Sequence, residues 1–286
     1  MTPEQSRNTR EFVNHLETLF DEKDTATFSP RFSRLFRVHI LPRIHRLVNF
    51  EFTSRETTNF TYPLTEYSRL QIAHGLAVAL NRNPDHVLKF LEEPLADEDI
   101  HQHVITISRN SPFAHKTDER CDFGRRLGWY AVVRLLKPRV VVETGIDKGL
   151  GAVLLASALL RNKEEGYEGR YFGTDINPKA GYLFTGKYAS AGEILYGDSI
   201  ESLKQFDQPI DVFINDSDHS HEYEYREYQT VKATLSARAI ILGDNAHASA
   251  SLLQFSRETG RNFLFLREIP EDHWYPGAGI GVSFPR

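Results

Sequence analysis

The chain predicts an α/β fold: a mostly parallel seven-stranded sheet with an antiparallel last strand, preceded by a helical N-terminal extension. Three observations predict it. Runs rich in β-branched or aromatic residues recur from Val140 onward, mostly separated by helix-length stretches. The residues from Thr2 to about Asp118 instead carry apolar stripes at helical spacing, with no strand ladder. The last run, Gly279–Phe284, follows its predecessor after a loop of about ten residues, too short for a helical crossover, so it should pair antiparallel.

In chain order, Phe12, Leu16, Leu19 and Phe20 share one helical face. Leu70, Ile72, Ala73, Leu76, Ala77 and Leu80 share a second, which Asn83-Pro84 ends. Val87, Leu88, Phe90 and Leu91 mark a short third helix, and such stripes read as packing surface. Residues 1–118 are therefore expected to form a helical lid or oligomerisation region, possible homo-oligomer contacts included, and 119–286 the main domain. Asn110 to Asp122 reads as a loop, with Phe113–Asp122 suited to act as a lid; Phe123 to Leu136 reads as a helix leading into the first strand.

With 286 residues the chain can bury about three quarters of its unfolded surface. A net charge of -5 gives no electrostatic footprint for a nucleic-acid backbone, so no nucleic-acid partner is expected. Cys121 is the only cysteine, which rules out an intrachain disulfide, and no apolar run is long enough to span a bilayer. Met1 to Arg10 is polar and lacks the apolar core of a signal peptide. A cytoplasmic protein without a membrane partner is the expectation.

The most informative stretch runs from Val140 to Gly151. Val140, Val141 and Val142 read as a buried strand, Gly145, Gly149 and Gly151 as a turn, and Ala152 onward as a helix. Glycines there let a ligand approach the backbone, and the helix N-terminus adds free N–H donors. The spacing is Gly-x-x-x-Gly-x-Gly, not that of a dinucleotide fold. Glu143, at the strand end, would repel a pyrophosphate but suits a cationic, amino-acid-like ligand.

Ligands of open parallel sheets collect beyond the carboxyl ends of the strands. Asp175 closes the second strand, where a carboxylate can accept both hydroxyls of a ribose or cap a helix after Pro178. Asp198 and Ser199 follow the third. Asp216 follows the fourth, opening the polar run Asp216-Ser217-Asp218-His219-Ser220-His221-Glu222, and Asp244-Asn245 follows the fifth. Asp216, Asp244 and Asn245 together would offer hard oxygen ligands for Mg²⁺.

The glycine turn resembles the first motif of class I S-adenosylmethionine-dependent methyltransferases. The resemblance implies a Rossmann-like fold and a cofactor held by Glu143, Gly145, Asp147, Gly149, Gly151, Asp175, Asp198, Ser199 and Asp216, with the adenine beside Asp198. The Asp216, Asp244, Asn245 trio resembles the metal site of catechol and caffeoyl-coenzyme A O-methyltransferases. The segment from Asp216 is also similar to bacterial methyltransferases acting on macrolide sugars, in which a Lys or His three positions after the first metal Asp removes the substrate proton. Here that position is His219.

These resemblances imply magnesium-assisted O-methylation of a small-molecule hydroxyl, a natural-product sugar or a phenol of catechol type, with Asp216 and His219 catalytic. His219 suits the task because an imidazole titrates near neutrality. Trp274 and Tyr275, after the sixth strand, can line the acceptor pocket or anchor their loop, and His221 and His247 are further candidates for substrate contact. Two other readings stay open: a non-heme iron oxygenase, since Asp218, His221 and His247 are further potential ligands from which two histidines and a carboxylate could form a facial triad, and a non-catalytic S-adenosylmethionine-binding module. No Asn-Pro-Pro-Tyr or Asp-Pro-Pro-Tyr segment is present, and Cys121 is not at a strand end, so an oxygen acceptor is favoured.

Overall fold

The structure, a computed structural model, describes residues 3–21, 27–56, 58, 60–244 and 246–286. Three helices come first: α1 (Pro3–Leu19), α2 (Pro30–His39) and α3 (Leu41–Thr53). Local chemistry sets the boundaries of those that follow. Thr65 caps α4 (Glu66–Leu80), which stops at Asn81 in the left-handed conformation. Asn83 accepts from Asp85 N and His86 N to start α5 (Pro84–Glu92), so the Asn-Pro pair that ends one helix begins the next. Asp97 caps α6 (Glu98–Arg109), and α7 (Arg126–Leu136) leads into the sheet.

The strands are β1 (Val140–Thr144), β2 (Arg170–Asp175), β3 (Gly192–Tyr196), β4 (Ile210–Asn215), β5 (Leu235–Gly243), β6 (Asn262–Arg267) and β7 (Gly279–Phe284). Helices α8 (Leu150–Glu164), α9 (Ser199–Gln205), α10 (His221–Val231) and α11 (Ser251–Glu258) lie between them. The order is β3-β2-β1-β4-β5-β7-β6. All pairs are parallel except those of β7, which runs antiparallel to β5 and β6. This is the expected mostly parallel, Rossmann-like sheet, and its order reverses beside β1.

One crossover differs from expectation. Between β2 and β3 there is no α-helix, only turns and a 3-10 segment at Tyr188–Ala191. Two of the segment's backbone donors go to the glycine turn: Gly181 N bonds Asp147 O at 2.7 Å and Leu183 N bonds Lys148 O at 3.0 Å. Pro178 and two positive-φ glycines, Gly181 and Gly186, also work against a helix.

One sheet face packs Val141, Ile214 and Leu242 with Leu154 of α8 and with Ile72, Leu76, Val87, Leu91, Ile100 and Val104 of α4 to α6, all in one buried cluster. Helices α4–α6 therefore belong to the core of the sheet domain rather than to a separate cap. The other face packs Val142, Phe172 and Phe213 against Tyr228, Leu252 and Phe255. Helices α1–α3 leave Phe12, Phe32, Leu35, Val38 and Leu47 exposed. Among the described residues no helix is long and apolar enough to cross a membrane.

Candidate active site

The sheet's hydrogen-bond ladder continues past the strand ends. Asp216 N bonds Thr144 O, Asp244 N bonds Asn215 O, Gly145 N bonds Thr174 O and Gly197 N bonds Asp175 O, each at 2.9 Å. The residues that follow β1, β3, β4 and β5 are thereby held side by side above the carboxyl edge. Gly145 sits at φ +80°, and a Cβ there would lie 2.1 Å from the Asp216 carbonyl oxygen, so only glycine lets the two segments meet. Gly149 is the N-cap of α8 and supplies no side-chain cap, leaving the first N–H groups of the helix to other acceptors.

A cleft of about 760 Å³ lies over this edge. Of the residues expected at the site, Gly145, Asp147, Asp175, Asp198, Ser199, Asp216, His219, Asp244, His247 and Tyr275 line it. Glu143, Gly149, Gly151, His221 and Trp274 do not, and Asn245 lies outside the described residues.

Glu143 is buried beneath the turn, where Tyr171 donates to its carboxylate at 2.5 Å and burial raises its pKa to about 7. A Cβ on Gly151 would come within 2.2 Å of Glu143 Oε1, so that glycine admits the carboxylate rather than a ligand. His221 opens α10 but turns to α11, its Nδ1 lying 2.9 Å from Ser251 Oγ and its ring stacked on Tyr225. Trp274 is half-buried beside His273 and Tyr275 in the loop after β6.

At one end of the cleft Asp175 accepts from Asp147 N at 3.0 Å and from Asn177 N at 2.8 Å. The buried Thr174 hydroxyl on the same wall has no partner. Asp198 accepts from Glu201 N and from Tyr223 OH, both at 3.0 Å. Burial pushes its pKa up, but these hydrogen bonds outweigh it and hold the carboxyl below its usual range.

The sequence reading missed Glu227, which accepts from Ser199, Asn215 and Ser217 under the cleft floor and is pushed by burial to about pKa 7. Its signal was available: Glu224 and Glu227 fall on the same helical stripe as Tyr228 and Val231, and an acid on an apolar face implies a buried polar network.

At the other end stands a second group that the sequence reading missed. Arg125, 6% exposed, bonds both carboxylate oxygens of Asp244 through Nε and Nη2. Its Nη1 donates to Tyr62 OH at 2.7 Å and to Glu268 Oε1 at 3.4 Å, and Tyr62 OH donates to Glu268 Oε2 at 2.9 Å. Burial and the neighbouring Asp244 charge raise the Asp216 pKa well above the usual range. Burial acts on Asp244 too, but the Arg125 guanidinium overrides it and keeps that carboxyl ionised.

These residues do not fit a divalent cation. Both Asp244 oxygens already face a guanidinium, and among the described residues no three His, Cys, Asp or Glu side chains gather as ligands. Of the expected trio, Asp216 and Asp244 form a carboxylate pair with Arg125 as its neighbouring cation, and Asn245 lies outside the described residues. The facial-triad alternative loses His221, which points away from the cleft.

Residues 142–246 match the family model described as a methyltransferase domain. No curated protein matches the chain. Among solved structures, the fold is similar to an O-methyltransferase from Bacillus cereus in complex with S-adenosylhomocysteine, with TM-score 0.47, 14% identity, and coverage of 69% of this chain and 96% of that one. An S-adenosylhomocysteine-bound methyltransferase from Podospora anserina gives TM-score 0.48, 18% identity and coverage of 71% and 95%. An O-methyltransferase of tomaymycin synthesis from Streptomyces achromogenes gives 0.46, 14%, 66% and 90%. The matched stretch, residues 142–246, runs from β1 through β5 of the Rossmann-like sheet.

Proposed function

We propose that this protein is an S-adenosylmethionine-dependent O-methyltransferase acting on a hydroxyl of a small molecule, a natural-product sugar or a phenol. The observation that carries the reading is a single cleft that runs from Gly145, Asp175 and Asp198 to Asp216 and His219, joining a nucleoside-type end to a proton-accepting end. The cofactor, when bound, supplies a methyl group made electrophilic by its sulfonium.

The chain's own groups divide the remaining work. Asp175 has lone pairs beyond the two that its backbone donors use, enough to accept ribose hydroxyls. The unpartnered Thr174 hydroxyl and the uncapped start of α8 offer further polar contacts, and Asp198, fixed by Tyr223, flanks the adenine position. Tyr275 presents a ring to the acceptor. His219 takes the proton of the acceptor hydroxyl on its imidazole nitrogen, a role that contributes on the order of 10²- to 10⁴-fold. Orientation contributes more, about 7–11 kcal/mol where two reactants are held in line. No step uses a divalent cation, because Arg125 engages both oxygens of Asp244. The exposed apolar side chains of α1–α3 support a homo-oligomer contact there.

Calorimetry with S-adenosylmethionine, followed by transfer of its labelled methyl to a panel of hydroxylated sugars and phenols, tests the reading. Binding with methyl transfer is expected, and His219→Ala should lower turnover about 10²- to 10⁴-fold while leaving cofactor affinity unchanged. Absence of S-adenosylmethionine binding would overturn the proposal; binding without transfer to any acceptor would favour a binding module.

A further inference from the structure

Arg125 is set in place by the backbone before any ligand arrives. Gly124, at φ +51°, bonds Tyr62 O through its N–H at 3.0 Å, and a Cβ there would lie 2.3 Å from the Tyr62 ring. The backbone at Gly124 thus allows Tyr62 to abut the start of α7 and to meet Arg125 Nη1. Glu268, which shares that nitrogen, is itself fixed by Ala278 N at 3.0 Å. All three guanidinium nitrogens are engaged, and the group still contributes to the cleft wall beside Asp216.

We infer that Arg125 is a built-in cation occupying the role that a divalent metal would fill at the Asp216–Asp244 pair, a positioning residue that makes the acceptor end independent of metal. The inference rests on the methyl-transfer reading for its consequence in turnover, but not for its geometry. A metal ion and a guanidinium compete for the same two oxygens of Asp244. Admitting the metal would strip the buried Arg125 of its two bonds to Asp244 and leave it, of its carboxylate contacts, only the 3.4 Å one with Glu268, which is unfavourable. An arginine does not deprotonate in this setting, so the positive charge is permanent, and its planar fork fixes the Asp244 carboxylate in one orientation.

The test is a Mn²⁺ titration of the full chain without added cofactor, read by electron paramagnetic resonance, with calorimetry of S-adenosylhomocysteine run separately. The wild type should bind no Mn²⁺ at this site, Arg125→Lys should behave likewise, and Arg125→Ala should gain a bound Mn²⁺ that the added Asp244→Asn change removes. Methyl transfer by the wild type should be unaffected by chelator.

One Mn²⁺ per wild-type chain whose removal abolishes transfer would overturn the inference, as would a folded Arg125→Ala that binds none. Mn²⁺ bound by the wild type with transfer indifferent to chelator is binding elsewhere and agrees with it. If Arg125→Ala does not fold, the wild-type titration still decides. Loss of S-adenosylhomocysteine binding would strike the functional reading alone, since competition between Arg125 and Mn²⁺ is read without it.

Discussion

Glu143→Gln should flatten the pH dependence of stability. The Glu143 carboxyl is fully enclosed, and burial lifts its pKa from 4.5 to about 7, with the Tyr171 hydrogen bond opposing the shift. A raised carboxyl pKa means that the folded chain holds the proton more tightly than the unfolded one. Its contribution is therefore complete below 4.5 and is lost as pH rises through about 7. At about 1.4 kcal/mol per pH unit the total is about 3 kcal/mol, of which roughly 2 kcal/mol falls between about pH 5 and pH 8.

The glutamine keeps an acceptor for Tyr171 OH and cannot ionise. Any fixed cost of its amide beside Gly151 is the same at both pH values and cancels, as do the similar contributions of Glu56 and Glu227. Urea unfolding of both proteins at the two pH values gives the double difference. The variant should lose about 2 kcal/mol less than the wild type on going to the higher pH; parallel losses would refute the assignment of a protonated Glu143.

Gly145→Ala should destabilise by about 1–3 kcal/mol, since a Cβ meets the Asp216 carbonyl at a positive φ, and calorimetry should show loss of S-adenosylhomocysteine binding. Asp175→Ala should weaken that binding by about 10- to 100-fold, the equivalent of losing a hydrogen bond to a charged group, with a near-native circular dichroism spectrum. Tyr62→Phe should cost about 1–3 kcal/mol in urea, because the hydroxyl links Arg125 to Glu268 in a buried setting. Burial lowers the His273 pKa to about 4, so its stability contribution is present above the unfolded value of 6.5 and lost as pH falls toward 4. His273→Gln should therefore lose about 1–2 kcal/mol less than the wild type between roughly pH 7 and pH 5, measured by thermal melts.

The sheet was legible because its strands are buried along their length. Val140–Thr144 is buried at all five positions, and strands buried on both faces read as apolar runs such as Val140-Val141-Val142. The β2–β3 crossover was legible only in Pro178, Gly181 and Gly186; its docking on the glycine turn through Gly181 N and Leu183 N leaves no local period. The strand-end acids could be found because an open sheet gathers ligands at one edge. Arg125 could not be paired from sequence: it meets Asp244, Tyr62 and Glu268 across 119, 63 and 143 residues, and no local period records such distances. Its one trace is a pair of arginines directly after Gly124, at the head of a mostly apolar helix. A strand-end position alone does not say which way a carboxylate faces: Glu143 lies buried beneath the turn, in space that Gly151 leaves open.

Asp216 and Asp244 hang from the ladder itself, each through its own backbone N–H on the strand next door. Their main chains are therefore immobilised during folding, together with the sheet, and no further ordering of these two positions is required when a ligand enters the cleft. The entropy that a loop-borne site would surrender on each binding event has already been surrendered once, in the folding of β1, β4 and β5. Admission and release of ligands then fall to the segments that carry His219, His247 and Tyr275, which lie beyond the ladder on the cleft wall.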